Sequence, residues 1–117
     1  MIVKNRSTED AVLLWQKLLL TLSDLPQEVK TVSKTGSTVE GKWFYVNAVG
    51  DALHVDEAKT KIPSSKLANT RVITKVEFMA LYPNYYKWRT GVMSREQAKG
   101  NSLNSSYIFA LINKFDV

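Results

Sequence analysis

The sequence predicts an α+β fold, and three observations carry that expectation. Apolar residues recur with a helical period from Ser7 to about Leu25. From Val29 to Ile73 the period shortens to an alternation rich in Val, Trp, Phe and Tyr, and from Thr74 onward the helical period returns. Helix, sheet and helix in blocks, rather than in alternation, point to an antiparallel sheet of three or four strands with an N-terminal helix and a C-terminal helical bundle. The 117 residues read as a single domain, with a helix over 7–25, a sheet over 29–73 and a helical region over 74–117. The composition, 44% hydrophobic and 23% charged, is that of an ordinary globular chain.

Each element has local support. Ser7 caps the first helix, Glu9 and Asp10 face the positive end of its dipole, and Pro26 lies just beyond its end. One face carries Ala11, Leu14, Trp15, Leu18, Leu22 and Leu25. Val12, Leu13, Leu19 and Leu20 widen that face beyond a normal stripe, which predicts a helix either deeply buried in a single core or shared with a second subunit, the homodimer being the preferred reading. Strands are expected at Val29–Ser33, Lys42–Ala48 and Ala52–Asp56, with turns at Thr35-Gly36 and Gly50-Asp51 and a short edge strand at Arg71–Ile73. In the middle strand Trp43 and Tyr45 face one way and Phe44, Val46 and Ala48 the other, so this strand is expected to be covered on both sides. A polar connector, TKIPSSKLAN, follows. Thr74 and Glu77 then form a capping box for a helix carrying Phe78, Leu81, Tyr82 and Tyr85, which Pro83 should end or kink and Gly91 should close.

The last quarter carries the pattern that points most directly to a function. Ser94 and Gln97 form a second capping box, a helix runs over Arg95–Lys99, and Gly100, Asn101 and Ser102 make a turn. Asn104 or Ser105 caps a final helix with Ile108, Leu111, Ile112 and Phe115 on one stripe. Ala98 is the small residue that lets two helices cross closely, and Leu103 the apolar residue expected to lock their angle. That is the outline of a helix-turn-helix.

The stretch RTGVMSREQAKGNSLNSSYIFALI resembles the helix-turn-helix of resolvase and invertase recombinases. The family usually has glycine where Ser102 stands, and here the glycine lies two residues earlier, at Gly100. The resemblance implies double-stranded DNA as a partner. It casts Arg89, Arg95, Lys99 and Lys114 as phosphate contacts and Asn104, Ser105 and Ser106 as the groups nearest the base edges. Over residues 43–112, the order WFYV, PSSKL, RVIT–EF–YP–YY–W and NSSYIFALI is similar to small uncharacterised bacterial proteins of the kind carried on integron gene cassettes. Such proteins often look homo-oligomeric, and the likeness implies no reaction.

Charge supports a polyanion partner. The net charge is +5, balanced over residues 1–30, +1 over 31–70 and +4 over 71–117. Without cysteine there is no disulfide or thiolate metal site, and no cofactor or metal is expected. MIVKNRSTED turns acidic before an apolar run that Lys17 breaks, so neither a membrane span nor a secretory layout is expected and the location reads as cytoplasmic. His54 stands alone, with Asp56 on its face of the strand and Glu57 on the other. Asp51, Asp56 and Glu57 with Lys59 and Lys61 outline, at most, a small nuclease-like site. The run Tyr82, Tyr85, Tyr86 and Trp88, interleaved with Lys87 and Arg89, offers an alternative surface for a small ligand or a protein partner. The sequence-based expectation is therefore a non-enzymatic, homo-oligomeric DNA-binding or regulatory protein, with the aromatic interaction module as its alternative.

Overall fold

The computed structural model describes residues 7–116. Their order is α1 (Thr8–Asp24), β1 (Gln27–Lys30), β2 (Trp43–Val49), β3 (Ala52–Glu57), β4 (Arg71–Ile73), α2 (Lys75–Arg89), α3 (Arg95–Lys99) and α4 (Ser105–Phe115). The four strands form an antiparallel meander in sequence order, with the predicted edge strand as its fourth member. The α+β expectation thus holds, including the sheet between an N-terminal helix and C-terminal helices.

Ser7 caps α1 as expected, and Asp10 completes a capping box by taking the Ser7 N–H in return. Ala11, Leu14, Trp15, Leu18 and Leu22 are buried, whereas Leu25, expected on that face, is exposed after the helix ends. The extra breadth divides: Val12 and Leu19 are half-buried, while Leu13 (64%) and Leu20 (73%) face solvent one heptad apart.

β1 begins and ends earlier than the alternation suggested. Its early end is explained at Thr31, which donates its N–H to the Lys42 carbonyl at 3.0 Å. The Thr31 hydroxyl, not its carbonyl, accepts the Lys42 N–H at 2.9 Å, so the return bond of a continuing ladder is diverted. β2 and β3 meet at the Gly50-Asp51 turn, where Gly50 has φ +62, a conformation that favours glycine.

Two expectations about helix ends are revised. α2 continues through Pro83; the residue lacks an N–H, so the Met79 carbonyl has no helical partner there, but the buried face on both sides of it holds the helix together. Thr74 caps α2 by accepting the Glu77 N–H, yet the Glu77 carboxylate does not close a capping box. It turns instead to the α3–α4 turn, accepting from Ser102 Oγ at 2.8 Å and from Asn104 Nδ2 at 2.9 Å.

The core lies on one side of the sheet. Val29, Phe44, Val46, Leu53, Val55 and Ile73 point into it and meet α1, α2 and α4. Phe44 meets Tyr107 edge-on and Trp15 packs on Phe78. Among the described residues no helix covers the opposite face: every residue on it, from Glu28 and Lys30 through Trp43, Tyr45 and Asn47 to His54, Asp56 and Val72, is partly or fully exposed. The expectation that β2 is covered on both sides is corrected here. The helices that pack on the sheet share one face, and the bulk on the other is partly exposed.

Candidate functional site

The C-terminal hairpin forms with the predicted boundaries. Ser94 and Gln97 make the reciprocal capping box, Ala98 is fully buried, and Ile108, Leu111, Ile112 and Phe115 are buried. Its surroundings, however, differ from those of a groove-reading hairpin. Phe109 and Ala110 are buried as well, so α4 is enclosed over most of its circumference. Leu103, expected to lock the crossing, is 77% exposed. Polar contacts fix the turn in its place: Ser102 and Asn104 both reach Glu77, and Asn104 Nδ2 also donates to the Val72 carbonyl at 3.2 Å.

The residues assigned to DNA are mostly engaged in the fold. Asn104 is only 8% exposed and occupies the N-cap position of α4 without a side-chain cap bond, because its amide is directed to β4 and α2; its Oδ1 is buried without a partner. Ser105 is buried too. Arg95 donates from Nη2 to Ser105 Oγ at 3.0 Å and to exposed Ser106 Oγ at 3.2 Å, and its guanidinium lies over Phe109 and Trp88. Burial lowers the Arg95 pKa from its ordinary value, with the neighbouring Glu96 opposing that shift. Arg95 thus ties α3 to α4. Arg89 Nη1 donates to Tyr85 Oη and, at 3.1 Å, to Asn113 Oδ1, and the guanidinium abuts Gly36, where an added Cβ would lie 2.6 Å from Nη2. Lys99 pairs with Glu96 at 3.5 Å, and exposed Lys114 sits beside the Phe115 ring. Asn104 and Ser105 are therefore corrected from groove-facing to inward-facing positions.

The alternative aromatic surface is also mostly interior. Tyr82, Tyr85 and Trp88 are buried and Tyr86 half-buried, linked ring to ring. Their hydroxyls point towards α4: Tyr82 and Tyr86 donate to Asp116 and Tyr85 to Asn113. A shallow cavity of about 260 Å³ lies over Tyr85, Tyr86, Arg89 and Asn113.

A different arrangement appears on the open sheet face. Alternation along β2 directs Trp43 and Tyr45 away from the helices, and the register sets Lys30 opposite Trp43, and Glu28 and Asp56 on either side of Tyr45. The loop after β3 folds back so that Trp43 exchanges backbone bonds with Pro63 and Ser65, both at 2.8 Å. This return brings Lys59 Nζ to 4.0 Å from the centre of the Tyr45 ring and Lys61 Nζ to 5.0 Å from that of Trp43; Lys30 Nζ lies 5.7 Å from the same Trp43 ring. Among the described residues none of the three ammonium groups is ion-paired.

The acids of this face are directed to the loops. The Glu28 carboxylate accepts the Thr60 hydroxyl and three successive N–H groups, those of Lys59, of Thr60 at 2.8 Å and of Lys61 at 3.3 Å. The Thr60 hydroxyl bond and then the backbone bonds hold its pKa down, from an ordinary 4.5 to about 2. Asp56 accepts the Thr70 hydroxyl. Asn47 and His54 stand opposite each other further along the face. Sequence reasoning treated Trp43 and Tyr45 as core; the signal it missed is that two aromatics at i, i+2 are matched by lysines at i, i+2 in Lys59-Thr60-Lys61.

Among the described residues no group of three His, Asp or Glu side chains is placed to hold a metal ion, and no helix is long and apolar enough to cross a membrane. Compared with known proteins, the chain matches no family model, no curated protein and no solved structure.

Proposed function

We propose that the protein is a non-enzymatic nucleic-acid-binding protein and that its contact surface is the open face of the sheet. The observation that carries this reading is the pair Trp43 and Tyr45, partly exposed and uncovered by any helix among the described residues, with Lys30, Lys59 and Lys61 over the two rings. Flat rings offer stacking platforms for bases, and ammonium groups without an ion-pair partner beside them attract phosphates, Lys30 also donating to the Val39 carbonyl at 3.4 Å. An exposed cation–π contact contributes about 0.5–1 kcal/mol, whereas a base stacked on an aromatic ring contributes about 1–3 kcal/mol. An incoming base therefore displaces the lysine from its ring, and the freed ammonium is left beside the phosphate. The net charge of +5 favours such an encounter at long range. DNA remains the leading partner class, with the sheet face replacing the hairpin as the surface that meets it.

Fluorescence anisotropy with labelled DNA at low salt tests this reading. Binding that weakens as salt rises and is about tenfold or more weaker in Tyr45→Ala is expected; no binding at low salt would overturn it. The homo-oligomeric part of the proposal is supported by Leu13 and Leu20, both exposed on the outer side of α1. Light scattering should give a mass above one chain that falls to one chain in Leu20→Glu; a single-chain mass for the parent protein would reject it.

A further inference from the structure

Resting on that reading, we infer that the open sheet face takes an unpaired strand, one base on Trp43 and the next on Tyr45, and that Glu28 positions the lysines that hold its phosphates. The spacing of the rings is the first argument. Residues i and i+2 of a strand lie about 7 Å apart at about 3.3 Å per residue, while stacked nucleotides of a duplex rise only about 3.4 Å. Two neighbouring bases therefore reach both rings only when the backbone is extended and the bases are separated. A duplex also hides the faces of its bases between neighbouring pairs, which leaves the two rings nothing to stack on. The bases must be single-stranded.

The second argument is charge placement. Lys59 and Lys61 sit on a turn whose three consecutive N–H groups converge on the Glu28 carboxylate. The same carboxylate binds the Thr60 hydroxyl between them, so the turn is fastened to β1 at its centre. With the turn fastened, Lys59 reaches Tyr45 and Lys61 reaches Trp43, one ammonium group for each ring. Lys30, opposite Trp43, adds a third. A carboxylate on a nucleic-acid surface ordinarily repels phosphate. The charge of Glu28 is taken up by the turn, and Glu28 acts through the two lysines as a positioning residue.

The test compares a labelled oligothymidylate and an oligouridylate with a duplex of the same length. The expected result is binding of both single strands and at least tenfold weaker binding of the duplex. Three phosphate contacts give a salt slope of about −2 on single strands, or roughly 20-fold loss between about 50 and about 200 mM salt. Trp43→Ala and Tyr45→Ala should each lose about tenfold or more. In Glu28→Gln the slope should fall towards about −0.7, the value for one remaining contact. Tighter binding by Glu28→Gln with an unchanged slope would mean that Glu28 only repels phosphate, and would overturn its positioning role. Duplex bound as tightly as single strands would overturn the inference and leave nucleic-acid binding standing. No binding of any of the three would overturn both. If Tyr45→Ala binds every strand as the parent does but changes the mass in light scattering, the face is an interface between copies of the chain and the inference falls.

Discussion

The two faces of β2 use the same kind of residue for opposite ends. On one, Phe44 and Val46 are fully buried between the sheet and the helices; on the other, Trp43 and Tyr45 remain partly exposed under three lysines. Bulk and alternation are equal on both sides, so hydrophobicity alone does not distinguish core from surface. What distinguishes them is the supply of covering elements. α1, α2 and α4 share one core with the inner face and α3 packs on α2, so among the described residues no helix is left for the outer one. An aromatic pair on a face without a covering helix, with cations rather than aliphatic groups around it, is the feature on which the proposed binding surface rests.

The comparison breaks most visibly at Phe44. Phe44→Ala should cost about 3–5 kcal/mol and lower the midpoint of urea unfolding strongly, whereas Tyr45→Ala, one residue along, should change stability by less than about 1 kcal/mol while weakening nucleic-acid binding. Similar losses of stability in both variants would show that the outer face is covered after all. Asn104→Ala comes next, at about 1–3 kcal/mol, because it removes the donor that Glu77 and the Val72 carbonyl share at the helix junction. Binding measured on the folded variant should be unchanged, as expected of a residue that faces inward.

Arg95→Ala should cost about 1–2 kcal/mol through lost packing on Trp88 and Phe109 and two lost hydrogen bonds. Lysine should not restore it, since an ammonium group lacks the planar fork. Full rescue by Arg95→Lys in thermal unfolding would contradict this account.

The smallest effect is a pH dependence. Glu28 has its pKa held from 4.5 down to about 2, so the stability it contributes is present above the unfolded value and is lost as pH falls towards about 2. Glu28→Gln should therefore be less stable than the parent near neutrality, with the gap narrowing below about pH 5 and closing near pH 2. Parallel acid-unfolding curves would show that the turn does not depend on that charge.

Much of the fold was legible in the residues themselves. Ser7, Thr74 and Ser94 mark three helix starts because a hydroxyl before a helix has one favoured use, accepting a free N–H. The turn at Gly50 was legible for a similarly local reason. What failed was the assignment of surfaces, which depends on partners distant in sequence. Leu103 reads as a lock until one sees that Glu77, 26 residues earlier, fixes the turn through Ser102 and Asn104. Asn104 and Ser105 look like free polar ends until β4 and Arg95 reach them. The stripe on α4 was read correctly, but nothing in an apolar stripe says that Phe109 and Ala110 beside it will also be covered. Trp43 and Tyr45 were misplaced for the converse reason: their pattern fits a doubly covered strand, and only the placement of the helices leaves them open.

The chain contains three tryptophans, and the fold gives them unequal access to solvent: Trp15 and Trp88 are buried, Trp43 is not. Iodide or acrylamide should therefore quench one emitter selectively, the one on the open face. The intrinsic emission becomes a built-in optical reporter of what occupies that face, readable without a label. Shielding of the quenchable fraction follows occupancy directly, and Trp43→Phe supplies the blank.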